Sequence, residues 1–301
     1  KLSPPELIRA ILLAPVDRLW NGGIVSYDTA ATETHPDAGD KANDAIRVDG
    51  RELRVKVVGE GGNLGLTQRG RIEFARAGGR INTDAIDNSA GVDCSDHEVN
   101  IKILLDGLVA AGELDRPARN ALLAEMTDEV AELVLDDNRD QNAVLGVARS
   151  HAAPMANVHR RMVADLADRA GLDRRIEVLP DDDTFASLED AGVGLSSPEL
   201  STLLAHTKLD LTQRLLGTEL PDVPAFAGRL PGYFPEPLRV QYARPIAAHP
   251  LRREIVATML VNEMVDGGGT SYAFRLAEEL SAGVDEAVRA YAVSTAVFGL
   301  P

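Results

Sequence analysis

Residues 55–105 read VKVVGEGGNLGLTQRGRIEFARAGGRINTDAIDNSAGVDCSDHEVNIKILL, and their reading decides the fold. Val55-Lys56-Val57-Val58 has the length and apolar content of a buried strand. Gly59-Glu60-Gly61-Gly62-Asn63-Leu64-Gly65 follows, with four glycines in seven positions. Without Cβ atoms such a loop turns tightly and brings backbone N–H groups close to a ligand. A helix is expected next, stopping at Gly78-Gly79. A second strand and a second glycine turn, Asn88-Ser89-Ala90-Gly91, then lead to Ser95-Asp96-His97-Glu98. That is the Ser-x-x-Glu pattern of a capping box, so a helix is predicted to start with Ser95 as its N-cap. Ile101, Leu104, Leu105, Leu108 and Val109 share one helical face, and Gly112 ends the helix. Two glycine-rich turns, one feeding a helix N-terminus, predict a site for an anionic or amide-bearing small molecule.

The whole chain narrows the class. Its 301 residues allow one large or two ordinary domains. A net charge of −16 argues against nucleic acid or an anionic membrane as a partner, since both need clustered Lys and Arg. The single cysteine, Cys94, excludes an intrachain disulfide and suits a reducing, cytoplasmic setting. No apolar run approaches the ~18 residues of a membrane span. The chain opens on Lys1 and stops just after an apolar helix, so both ends read as cuts in a longer polypeptide.

In order, Ser3-Pro4-Pro5-Glu6 starts a first helix. Residues 16–20 read as a strand ended by Asn21-Gly22-Gly23. A loop with a brief helix near 41–46 and a turn at Asp49-Gly50 leads to the glycine loop. This rhythm is that of a parallel α/β sheet, but with too few strands to stand alone. Beyond Glu113 strand signals vanish. Helices are expected over 116–136, over 143–169 with a break at Pro154, and from Ser197 to Gly217. Further ones are expected over 250–265, 271–281 and 284–298. Five prolines within 220–237 predict a connector without regular structure. The fold class is therefore α/β, an incomplete Rossmann-like parallel sheet, followed by a mainly α domain. The division falls at 1–112 and 113–301.

The glycine loop fits neither common phosphate fingerprint: Leu64 stands where G-x-G-x-x-G needs glycine, and no Lys-Ser/Thr follows. The six histidines show no H-E-x-x-H or Cys/His pairing, so no metal site is predicted. Cys94, three residues before His97, is expected to be a small buried thiol. Asp181-Asp182-Asp183 reads as a solvated turn.

Glu60-Gly61-Gly62-Asn63 and Asn88-Ser89-Ala90-Gly91-Val92-Asp93-Cys94-Ser95 resemble the E-G-A-N and N-A-G-G-V-x-x-S segments of the glutamate dehydrogenases. The longer wording is similar to the large-subunit bacterial NAD-dependent branch, whose catalytic region is followed by a helical C-terminal domain. The likeness is specific over residues 2–105 and departs at Gly62, at Ser89-Ala90 and at Val25-Ser26, where the large-subunit branch is expected to carry Gly-Thr. It implies oxidative deamination of L-glutamate to 2-oxoglutarate and ammonia, with hydride transfer to NAD. It implies a dinucleotide-binding wall of Asn21, Gly22, Gly23, Gly61, Gly62, Asn63 and Asn88. Asn63 would lie near the nicotinamide ribose and Asn88 at the carboxamide. Val92 and Ser95 would contact the substrate, Ser95 at its side-chain carboxylate.

The catalytic lysine, the aspartate and the dinucleotide fingerprint of that family have no counterpart here, so no catalytic residue is assigned. The resemblance thus implies a partner in the upstream part of the same polypeptide, homo-oligomeric assembly, and a chain inactive by itself. The reading in another class is a non-catalytic regulatory or assembly module of a larger enzyme, built on the helical region.

Overall fold

The structure, a computed structural model, describes residues 1–23 and 26–300. The chain forms two compact units, Lys1–Ser89 with Leu145–His206, and Ala90–Val144 with Thr207–Pro301. Helices dominate, and the described strands form two small parallel pairs.

In the first unit, strand β1 is Arg18–Asn21, β2 is Asp28–Thr29, β3 is Val48–Asp49 and β4 is Val57–Glu60. β1 and β4 run parallel, with Asn21 opposite Glu60, and β2 pairs with β3. The two strands read from 16–20 and 55–58 are thus present, each displaced toward its C-terminal end. The strand expected after Gly79 shrinks to one bridge: the Val58 amide donates to the Arg80 carbonyl (2.9 Å) and the Arg80 amide to Lys56 (3.0 Å). Thr83 and Asp84 then turn the chain into the helix Asp84–Asp87, because capping residues favour a helix start over strand continuation. Leu12, Val48, Val55, Val58, Leu66, Phe74 and Ile81 fuse these pieces into one core. Each such side chain contributes roughly 1.5–3 kcal/mol on burial.

The helix after the glycine loop is Gln68–Arg76, capped by Thr67, whose Oγ1 accepts from the Gly70 amide at 3.0 Å. It is followed by Gly78 at φ +99°, a conformation that only glycine adopts freely. At the start of the chain the helix Pro4–Leu12 follows Ser3, whose amide and hydroxyl both donate to Glu6. The same unit takes in Ala156–Ala170 and Asp182–Asp190, with Met162, Val163, Leu166 and Phe185 buried. Asp181 does more than sit in a solvated turn, since its carboxylate caps Asp182–Asp190 by accepting from Thr184 (2.8 Å). Pro154 lies in the turn that separates Thr127–Ser150 from Ala156–Ala170, as expected.

The second unit is helical. Arg252–Gly268 runs through it with Ile255, Val256, Leu260, Val261, Met264 and Val265 buried. It packs against Val284–Phe298 and Tyr272–Leu280, whose bounds match the expected ones to within a residue. The proline-rich stretch departs from expectation. Leu220–Asp222, Pro224–Ala227, Leu230–Tyr233 and Glu236–Gln241 are four short helical pieces. Their prolines sit at the first or second helical position, where the missing N–H has no intrahelical acceptor to lose.

Candidate functional site

The glycine loop lies at the C-terminal ends of β1 and β4. The amides of Gly61 and Gly62 donate to the Asn21 carbonyl at 2.7 and 3.0 Å, which joins the loop to the Asn21-Gly22-Gly23 turn. None of Gly59, Gly61, Gly62 or Gly65 has a positive φ; Leu64 does, at +59°. Glycine is required here by crowding. A Cβ on Gly61 would fall 2.4 Å from the Trp20 ring, and one on Gly62 would fall 2.2 Å from the Gly23 carbonyl oxygen. Trp20, 68% exposed, thus lies against the loop with its outer face in solvent.

Beneath the loop sits a buried ionic cluster. Glu60, fully buried, receives two hydrogen bonds from Arg71, at 2.7 and 2.9 Å. Arg71 also contacts Asp84 at 3.1 Å. The carboxylates then hold the loop backbone: Asp87 accepts from the Glu60 amide (3.0 Å), Asp84 from Leu64 (2.8 Å), and Glu60 itself from Leu66 (3.2 Å). The geometry is that of a bidentate pair, which is rigid because both donors and both acceptors are committed.

That frame presents Asn63 and Asn88. Asn88 caps Asp84–Asp87, and its Nδ2 donates to Asn63 Oδ1 at 3.0 Å. Asn21 is buried, with its Oδ1 accepting from Gly23 and its Nδ2 without a hydrogen-bond partner. Asn21, Gly23, Gly61, Gly62, Asn63 and Asn88 are therefore brought together, and Gly22 joins them by its place in the turn. The exposed Asn63 amide and the half-buried Asn88 amide suit a carboxamide and ribose hydroxyls, each of which both donates and accepts. At the helix N-terminus behind the loop, Thr67 takes up the Gly70 amide.

Val92 and Ser95 belong to the second unit, on the helix Ser89–Ala110. Both are exposed. Ser95 is not an N-cap. The helix starts six residues earlier, and the Ser95 hydroxyl bonds back to the Gly91 carbonyl at 3.2 Å. A glycine in a helix costs only about 1 kcal/mol relative to alanine, which a helix of this length absorbs. Cys94 is exposed, against the expectation of a buried thiol, because burial along this helix begins only at His97.

The second unit also holds a cleft of about 760 Å³. Asp93, His97 and Asp137 converge on it, one potential ligand atom of each lying within 4.8 Å of the others. Burial first, then the neighbouring Asp137 carboxylate, push Asp93 up to about 7, while burial holds His97 below its usual range. This cluster escaped the motif search, although Asp93 and His97 stand four apart, on one face of a helix. Asp137, forty residues on, carries no local signal linking it to them.

Residues 1–148 match the family model described as bacterial NAD-glutamate dehydrogenase, catalytic domain, and residues 192–301 match glutamate dehydrogenase, C-terminal. The chain is 54% identical over 300 residues to a Mycobacterium tuberculosis protein named NAD-specific glutamate dehydrogenase. It is 48% and 46% identical to proteins of that name from Pseudomonas aeruginosa and Halomonas elongata. Each alignment takes in all of this chain but only 18–19% of the relative, so the chain spans about a fifth of their length. Both family models and all three relatives carry the glutamate dehydrogenase description, so this chain is similar to parts of the bacterial NAD-glutamate dehydrogenases.

Proposed function

We propose that this chain supplies one wall of the dinucleotide and glutamate site of an NAD-dependent glutamate dehydrogenase, together with helical structure that follows the catalytic region. The observation that carries the reading is the Asn63–Asn88 amide pair, held at the C-terminal end of β4 by the buried Glu60–Arg71 cluster. Open parallel sheets bind their ligands at that end of the strands. NAD, when bound, accepts the hydride; the residues of this chain orient it. Asn21, Gly22, Gly23, Gly61, Gly62 and Asn63 form the surface against which the nicotinamide ribose lies. Asn88 reads the carboxamide. Ser95 donates to the side-chain carboxylate of glutamate, and Val92 packs on its carbon chain.

On this reading residues 1–112 are the C-terminal part of a Rossmann-like domain and 113–301 a helical C-terminal domain. The sheet is completed by the upstream part of the same polypeptide, which also brings the catalytic lysine and aspartate. The assembled enzyme is a cytoplasmic homo-oligomer with no nucleic-acid or membrane partner. No helix among the described residues is long and apolar enough to cross a membrane.

Steady-state kinetics of the complete protein test this. Asn88→Ala is expected to raise KM for NAD, and Ser95→Ala KM for glutamate, each about tenfold or more, the loss of one well-placed hydrogen bond to a charged or buried group. Unchanged KM values in both variants would remove the assignment. The 301-residue chain by itself is expected to give no glutamate-dependent NADH.

A regulatory or assembly module remains the second reading. It is favoured by the helix Val284–Phe298, which leaves Val293, Val297 and Phe298 exposed while burying Val284 and Val288. An active enzyme after deletion of the helical region would support it.

A further inference from the structure

We propose that Asp93, His97 and Asp137 form a binding site for one divalent transition cation of the zinc–manganese class, an inference that does not rest on the dinucleotide reading. Asp93 and His97 project from one face of Ser89–Ala110, with His97 Nε2 3.9 Å from Asp93 Oδ1. Asp137 comes from Thr127–Ser150. All three offered ligand atoms lie within 4.8 Å of one another. Metal–ligand bonds of about 2.0–2.2 Å require ligand atoms roughly 3–3.6 Å apart, so side-chain shifts of about 1 Å complete the set.

Three further observations point to a cation. The first is charge. Asp93, Asp96, Asp137, Asp140 and Asp266 gather here, and Lys208, bonded to Asp266 at 2.8 Å, is the lysine that faces them. The second is the lack of partners. His97 is only 3% exposed, yet its Nδ1 has no hydrogen-bond partner, and neither does Asp93 Oδ2. Buried polar atoms without partners are costly, and a cation held between Asp93 and His97 would give Asp93 Oδ2 a partner and so remove part of that cost.

The third is rigidity. The imidazole stacks on Tyr233 at 4.3 Å between centroids. Tyr233 in turn donates to Asp96 (2.9 Å) and accepts from Asn100 (2.9 Å), which holds the tyrosine ring on which the imidazole lies. One imidazole with two carboxylates selects borderline cations over magnesium and calcium, which prefer all-oxygen cages. The competing account is that Asp93 and Asp137 simply share a proton. A cation displaces that proton, so the two accounts differ in metal uptake.

The test uses the complete protein, stripped with excess EDTA and dialysed against zinc chloride or manganese chloride. Metal per chain is counted by mass spectrometry. One equivalent of at least one of the two ions is expected above the count of an Asp93→Asn/Asp137→Asn double variant. His97→Gln should weaken uptake about tenfold or more, whereas Asp136→Asn, an exposed neighbour paired with Arg139, should leave it unchanged. A measurement that needs no variant is the electron paramagnetic spectrum of bound copper(II), where coupling to one imidazole nitrogen is expected. Absence of stoichiometric uptake by the wild-type protein, uptake untouched by every ligand variant, or purely oxygen coordination of copper would overturn the site.

Discussion

Single side chains set how this chain responds to pH, and two of them act in opposite directions. His159 is 3% exposed with an unpartnered Nδ1, and burial lowers it to about 4. Above its unfolded value, near 6.5, both states are neutral and nothing is lost. As pH falls from there toward 4 the unfolded chain takes a proton that the folded chain refuses, so stability drops by up to about 3 kcal/mol. Asp28, on β2, is 2% exposed with neither carboxylate oxygen partnered. Burial, then Glu73 and the acids beside it, hold it well above the usual carboxylate range. Its effect is reversed: stability is full below about 4 and declines as pH rises and the unfolded carboxyl ionises alone. Urea unfolding across pH should show His159→Leu flattening the acid side of the stability profile, by at least about 1 kcal/mol near pH 5, and Asp28→Asn the alkaline side, by at least about 1 kcal/mol near neutrality. A profile unchanged in either variant would show that the group in question stays solvated.

The glycine loop shows, at the scale of an element, what sequence reading could reach. Its position after a strand and before a helix was legible from the apolar run at 55–58 and the stop at Gly78. The reason for its glycines was not. The loop's one positive φ falls on Leu64, and the glycines answer to the Trp20 ring and the Gly23 backbone, contacts made by a strand some forty residues away. Glu60 looked like part of a flexible turn but is the buried anchor of that turn, since Arg71 one helix later neutralises it. The start of Ser89–Ala110 was misplaced for the converse reason. Ser95 and Glu98 make a capping pattern that local sequence favours, but the helix already running from Ser89 overrides it. Gly62→Ala tests the crowding account, because the Cβ would meet backbone that cannot rotate away. Overpacking of this kind costs about 1–3 kcal/mol, and the displaced loop should bind NAD more weakly in the complete protein. A variant with wild-type unfolding and wild-type KM for NAD would refute the crowding account.

At the scale of the whole molecule the question is what the strand-bearing segment needs in order to fold. Its unit includes Leu145–His206, more than fifty residues further along the chain. The joint is polar and specific. Arg76 donates to Glu199 (2.9 Å) and to the Gly194 carbonyl (2.8 Å). Gln68 reaches Thr202 (3.2 Å), and the Ser197 hydroxyl donates to Asn82 (2.8 Å). Glu199 is 4% exposed and also accepts from the Ser196 amide (2.6 Å), so removing it takes an acceptor from the Arg76 guanidinium and from a helix start together. A hydrogen bond to a charged group contributes about 1.5–3 kcal/mol, a fair share of a domain's stability. Glu199→Ala should therefore unfold the first unit at clearly lower denaturant, with the protein otherwise intact. A chain cut after Gly112 should fail more severely, giving no cooperative transition, because every partner of Arg76, Gln68 and Asn82 named above would be absent. If the 1–112 piece instead unfolds cooperatively, the segment is self-sufficient and the 145–206 helices serve something other than its stability.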